Sequence, residues 1–183
     1  MLQIRRNVFE TNSSSSHSIV VMKEAPARDK LTDMMDWFFS QRELHFYEDD
    51  LSFGRAPFDV LDDWYGRLRY ALALFAYDDV MRDRITEILR KRLPNFEEFV
   101  FPQEPWYNED EDDTEYQYFY GSVDHQSMDL LSKFLTDHDI SLEDFIFDDR
   151  YIVIIDGDEY HVFDRIQHMA SWNKDAIEEI YNA

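Results

Sequence analysis

Apolar residues recur along this chain either in alternation or at steps of three to four, and the switches between these spacings divide it into strands and helices. At positions 2–10, Ile4, Val8 and Phe9 among Arg5, Arg6 and Asn7 predict a strand with one polar face. A Thr-Asn-Ser-Ser-Ser-Ser run at 11–16 breaks the pattern, because hydroxyl and amide side chains bond their own backbone in place of a ladder. Ile19, Val20, Val21 and Met22 then predict a second strand, paired with the first as a hairpin. Between 28 and 42, Leu31, Met34, Met35 and Phe38 form a helical stripe widened by Trp37 and Phe39, and 44–47 reads as a short strand.

The strongest helical signal starts at Pro57, a residue suited to a first turn, and runs through Leu61, Trp64, Leu68, Leu72 and Phe75 for about five turns. Asp78 or Asp79 can cap the next helix, which carries Met81, Ile85, Ile88 and Leu89 and must end before Pro94. A strand follows at 96–101. Two prolines and a run of carboxylates then predict an exposed acidic loop at about 102–115.

Beyond the loop, 116–120 reads as an aromatic strand. Met128, Leu131, Phe134 and Leu135 predict a helix that Asp124 could cap, and Ser141 opens a short helix through Phe147. The segment 150–163 has the form of a hairpin turning at Asp156-Gly157, its first strand apolar on both faces and therefore central. Asp164 and Asn173 can cap two closing helices bearing Ile166 and Met169, then Ile177 and Ile180. Hairpins mixed with helices, without regular βαβ alternation, predict one α+β domain over 1–183 with a mixed or antiparallel sheet packed on amphipathic helices.

With 44% apolar and 16% aromatic residues spread through 183 positions, the chain has material for a core, which sets it apart from a disordered acidic tail. Cysteine is absent, so no disulfide or thiolate metal site holds the fold, and a reducing cytoplasm is the expected location. No apolar run is long enough to cross a membrane, and the first 22 residues lack the apolar stretch of a signal peptide. The net charge of -22, from 40 acidic against 18 basic residues, disfavours nucleic acid and anionic membranes as direct ligands and favours a basic protein.

Three segments carry candidate chemistry. Ser13, Ser14, Ser15 and Ser16 beside His17 place hydroxyls next to an imidazole, the components of an activated nucleophile or an anion site, and equally those of a hydrogen-bonded turn. Asp124 and His125, between a strand and a helix, supply an acid and a base, and with the serine segment and His17 they make an alternative enzyme or small-ligand site if the fold brings them together. The acidic segment combines Glu109, Asp110, Glu111, Asp112 and Asp113 with Trp106 and Tyr107, carboxylates to stand where a phosphate backbone would lie and aromatics to anchor the contact. Asp156, Asp158 and Glu159 lack the ligand series of a calcium loop, and no HExxH, GxGxxG or P-loop occurs. Neither a metal nor a cofactor is expected, and no catalytic residue is assigned.

The string Arg-Asn-Val-Phe-Glu-Thr-Asn-Ser-Ser-Ser-Ser-His-Ser at 6–18 resembles the opening of a group of small proteins encoded by phages and mobile elements of Gram-positive bacteria, and Asp124-His125-Gln126-Ser127 is similar to a second string of that group. The resemblance covers about a tenth of the chain. It implies an inhibitor of host defence, such as an anti-CRISPR protein blocking a Cas nuclease, whose nucleic-acid channels are necessarily basic. It carries over no catalytic role.

Overall fold

The apolar run Tyr151–Ile155 lies on an inner strand of the central sheet. The computed structural model describes residues 16–26, 40–53, 59–108, 113–124, 127–156 and 174–182. The strands are β1 (Ser16–Met22), β2 (Glu43–His45), β3 (Ser52–Phe53), β4 (Asp59–Leu61), β5 (Glu98–Val100), β6 (Gln103–Asn108), β7 (Asp113–Tyr118), β8 (Ser122–Val123), β9 (Tyr151–Asp156) and β10 (Ile177–Asn182). The helices are α1 (Trp64–Leu74), α2 (Asp79–Arg92), α3 (Leu130–Asp137) and α4 (Leu142–Phe147). The arrangement is α+β, as the sequence predicts.

The main sheet is antiparallel in the order β10-β1-β9-β4, with no two neighbours consecutive in sequence. This departs from the two expected hairpins. Residues 18–21 of β1 are paired on one side with β10 and on the other with β9, so neither edge is left for a partner from positions 2–10, which lie outside the described residues. Residues 153–155 of β9 are held between β1 and β4 in the same way, and the expected return strand at 160–163 also lies outside. β9 is apolar on both faces because both are covered. Tyr151, Val153 and Ile155 join the main core, while Ile152 and Ile154 pack with Val20 and Met22 on the other side.

The closing segment corrects the expected last helix. Ile177 and Ile180 stand three apart, a spacing that reads as helical, yet they lie in β10. The register pairs Val20 with Ile180, Val21 with Glu179 and Met22 with Ile177, leaving Glu178 as an extra residue in a bulge. A bulge restores same-face placement at a spacing where regular alternation would separate the two side chains. Both isoleucines accordingly pack against Val20, Met22, Ile152 and Ile154. The predicted helix at 28–42 falls outside the described residues except at 40–42, where only Ser40 is helical, and the Pro57 start and the capping residues Asp164 and Asn173 fall outside as well.

Helix α1 is shorter than its apolar stripe predicts. Leu61 ends β4, and Asp63 begins the helix by accepting a 2.6 Å hydrogen bond from the Gly66 amide. Tertiary packing also hides its other face, since Gly66, Arg67, Tyr70, Ala71 and Ala73 are buried along with Leu68 and Leu72. Arg67 is fully buried: Nε donates to the Ile146 carbonyl at 2.9 Å, Nη1 to those of Asp62 (2.8 Å) and Tyr151 (2.9 Å), and Nη2 to Asp149 Oδ1 (2.8 Å). One guanidinium thus ties α1 to the end of α4 and the start of β9. Helix α2 begins as predicted, with Asp78 accepting from the Met81 amide at 3.0 Å. In α3, by contrast, Asp129 occupies the N-cap position and Met128 precedes the helix with its side chain exposed, so Asp124 is not its cap.

Two contacts fix the periphery. Gly121 has φ +136°, and a Cβ there would lie 2.6 Å from the Ala73 Cα and 3.1 Å from the Leu51 carbonyl oxygen. Gly121→Ala is therefore expected to cost about 2–3 kcal/mol from backbone strain and overlap with α1, measured by urea denaturation. His138 joins α3 to β10, with Nε2 2.9 Å from Glu179 Oε2 and the ring packed against Phe134 and Tyr181. The Glu179 hydrogen bond raises the His138 pKa above the ordinary histidine value, so this contact stabilises below that value and fades as pH rises through the raised one. In an NMR titration, Glu179→Gln should lower the His138 midpoint.

Candidate functional site

The acidic segment expected as a loop is a two-stranded ribbon. β6 and β7 pair antiparallel from Gln103↔Tyr118 to Asn108↔Asp113, and neither pairs with any other strand among the described residues. Pro105 fits because a two-stranded ribbon needs ladder donors on one side only. The backbone register sets Glu104 opposite Gln117, Trp106 opposite Glu115 and Asn108 opposite Asp113. Glu109, Asp110, Glu111 and Asp112, which separate β6 from β7 in the sequence, lie outside the described residues.

An isolated hairpin of this size is marginal in water, so its base must be tied down. The Phe119 amide donates to the Pro102 carbonyl at 2.8 Å. Phe101 meets Tyr120 edge-on at 5.0 Å between centroids, and Tyr120 in turn stacks on Tyr118 and lies under the Arg82 guanidinium, 4.2 Å from its ring centre. Phe101 continues inward through Phe46 and Phe99 to the core. This aromatic chain anchors the ribbon.

The second candidate converges in part. His17 sits on β1 with its ring turned into the main core, 3% exposed, and its Nδ1 lies 3.0 Å from the Tyr70 hydroxyl on α1. Phe53 packs edge-on against Tyr70, and the Asp124 amide donates to the Phe53 carbonyl at 3.0 Å. That carries Asp124 near enough for its carboxylate to act on the imidazole. Burial lowers the His17 pKa to about 4, the Asp124 charge opposing it with the smaller effect, and the Tyr70 phenol is pushed well above its ordinary value by burial. The imidazole is therefore neutral at physiological pH and enclosed, with too little basicity to serve well as a general base.

Of the other residues read from the sequence, Ser13, Ser14, Ser15 and His125 lie outside the described residues, and Ser16 begins β1 opposite Asp156. Ser18, facing away from the main core, donates to Asn182 Oδ1 at 2.6 Å. Tyr70, the hydroxyl that holds His17, was not legible as a site residue, because it falls off the apolar stripe of α1. Among the described residues no group of three or more His, Asp or Glu side chains could hold a metal ion, and no helix is long and apolar enough to cross a membrane. Comparison with known protein families, curated proteins and solved structures gives no match.

Proposed function

We propose that the protein is an acidic inhibitor that binds a basic nucleic-acid-binding protein through the β6–β7 ribbon and blocks access of nucleic acid. The observation that carries this reading is the ribbon itself: a paired, anchored backbone that holds acidic positions in register where a mobile loop would scatter them. A paired backbone favours recognition because less conformational entropy is lost on docking, and aromatic positions along it suit the anchors of a protein interface. The chain-wide charge of -22 adds long-range attraction. A Cas nuclease is one such partner, suggested by the resemblance to phage-encoded proteins, and this reading places the protein in the cytoplasm of an infected or carrier bacterium.

The test is competition. Against a panel of Cas nucleases with and without bound guide and target, the protein should associate with the empty channel, be displaced by nucleic acid, and lose affinity steeply as salt rises from about 50 to about 300 mM. Binding indifferent to both salt and nucleic acid counts against it.

The alternative, an enzyme or ligand site at the serine segment with His17, Asp124 and His125, is favoured by one observation, the approach of Asp124 to His17. Against it stands the enclosure of the imidazole by Tyr70 and the core.

A further inference from the structure

We propose that the cleft beside Arg84 binds a small organic anion with an apolar body, a medium-chain acyl or aryl carboxylate. Two depressions share this arginine. The larger, about 470 Å³, opens between α2 and α3 over Phe75, Met81, Leu135, Ile140 and Leu142. The smaller, about 270 Å³, continues along α2 past Ile88 to Lys91 and Ser141. The larger falls in the size range of small-ligand sites, about 300–1,000 Å³, and has their usual make-up, an apolar floor with a few polar groups at the rim.

Arg84 is the cation that its helix leaves unused. Arg82 pairs with Asp79, Lys91 and Arg92 both pair with Glu143, and Arg90 donates to the Glu97 carbonyl. Arg84 makes no hydrogen bond or ion pair among the described residues, in a chain where 40 carboxylates compete for 18 cations. The acids near it are otherwise engaged or lie on the wrong side. Asp78 caps α2, Glu143 is held by two cations, and Glu87 lines the smaller depression only. A guanidinium fork on the rim of an apolar cleft matches a carboxylate head with its apolar tail laid over Met81 and Leu135. This site is separate from the ribbon and stands or falls independently of it.

Methionine-methyl NMR with decanoate, below its micellar concentration, and decanol as the neutral analogue tests the assignment. Decanoate should shift the Met81 methyl saturably and leave Met22, buried on the far face of the sheet, and Met128 unmoved. Arg84→Gln should weaken decanoate about tenfold, the worth of a charge-assisted pair, and leave decanol unchanged. Thr136→Trp, on the exposed rim, should block both. An unmoved Met81, equal shifts at Met128, or undiminished decanoate binding by the Arg84→Gln variant would overturn the proposal.

Discussion

Arg67→Met is expected to destabilise the protein by about 3–5 kcal/mol, the range for removing one partner from a buried, hydrogen-bonded charge cluster. Methionine fills much of the same volume, so the loss comes from the acceptors left behind. The carbonyls of Ile146 and Tyr151 lose a buried donor, that of Asp62 a partly buried one, and Asp149 loses its ion pair. Each buried carbonyl without a partner costs about 1–3 kcal/mol, so the total does not depend on the ion pair, whose carboxylate is partly exposed. Arg67→Lys should recover little, because one ammonium cannot reach acceptors spread around a planar fork. Thermal unfolding should shift by about 10 °C for a domain of this size. A change within about 1 kcal/mol would mean that water replaces the guanidinium at those carbonyls.

The second large effect is on acid stability. His17 has an ordinary value of 6.5 when unfolded and about 4 when folded, so between those values the unfolded chain binds the extra proton. The contribution is therefore fully present above pH 6.5 and is lost as pH falls from 6.5 towards 4, amounting to about 3 kcal/mol at 1.36 kcal/mol per unit. Many carboxylates titrate in the same range, so the informative quantity is a difference. Asn at position 17 keeps a group near Nδ1 for the Tyr70 hydroxyl but cannot protonate. Wild type should lose about 3 kcal/mol more than His17→Asn between pH 7 and pH 4, measured by urea denaturation at each pH. Parallel pH profiles would show that the imidazole protonates in the folded state without penalty, as a solvent-open site would allow.

What the sequence made legible was local. The cap at Asp78, the Ser141 start of α4 and the two-faced apolar run of β9 follow from chemistry within a few residues, and all three are present. What it concealed was long-range pairing. A hairpin is the cheapest partner for β1 by sequence distance, yet the strand pairs with β9 and β10 from the far end of the chain, where both faces can be buried. The Ile177 and Ile180 spacing fits a helix or a bulged strand, and only the presence of β1 alongside decides. In the acidic segment, charge and proline mark exposure, which a loop and the β6–β7 ribbon share. At the candidate site, the residues at 13–17 and 124–125 gave no sign of Tyr70, since strand and helix meet there across 53 positions.

The proposed inhibitor role depends on where the charge lies, beyond its amount. Converting Glu109, Asp110, Glu111, Asp112 and Asp113 to their amides can be compared with the same conversion of five exposed acids elsewhere, Glu24, Glu48, Asp49, Asp83 and Glu87. Both variants carry the same net charge, so long-range attraction is matched. Affinity for an empty, basic Cas nuclease should fall at least about tenfold in the variant at 109–113 and little in the other. Equal losses in the two variants, or none in either, would contradict the ribbon as the binding element.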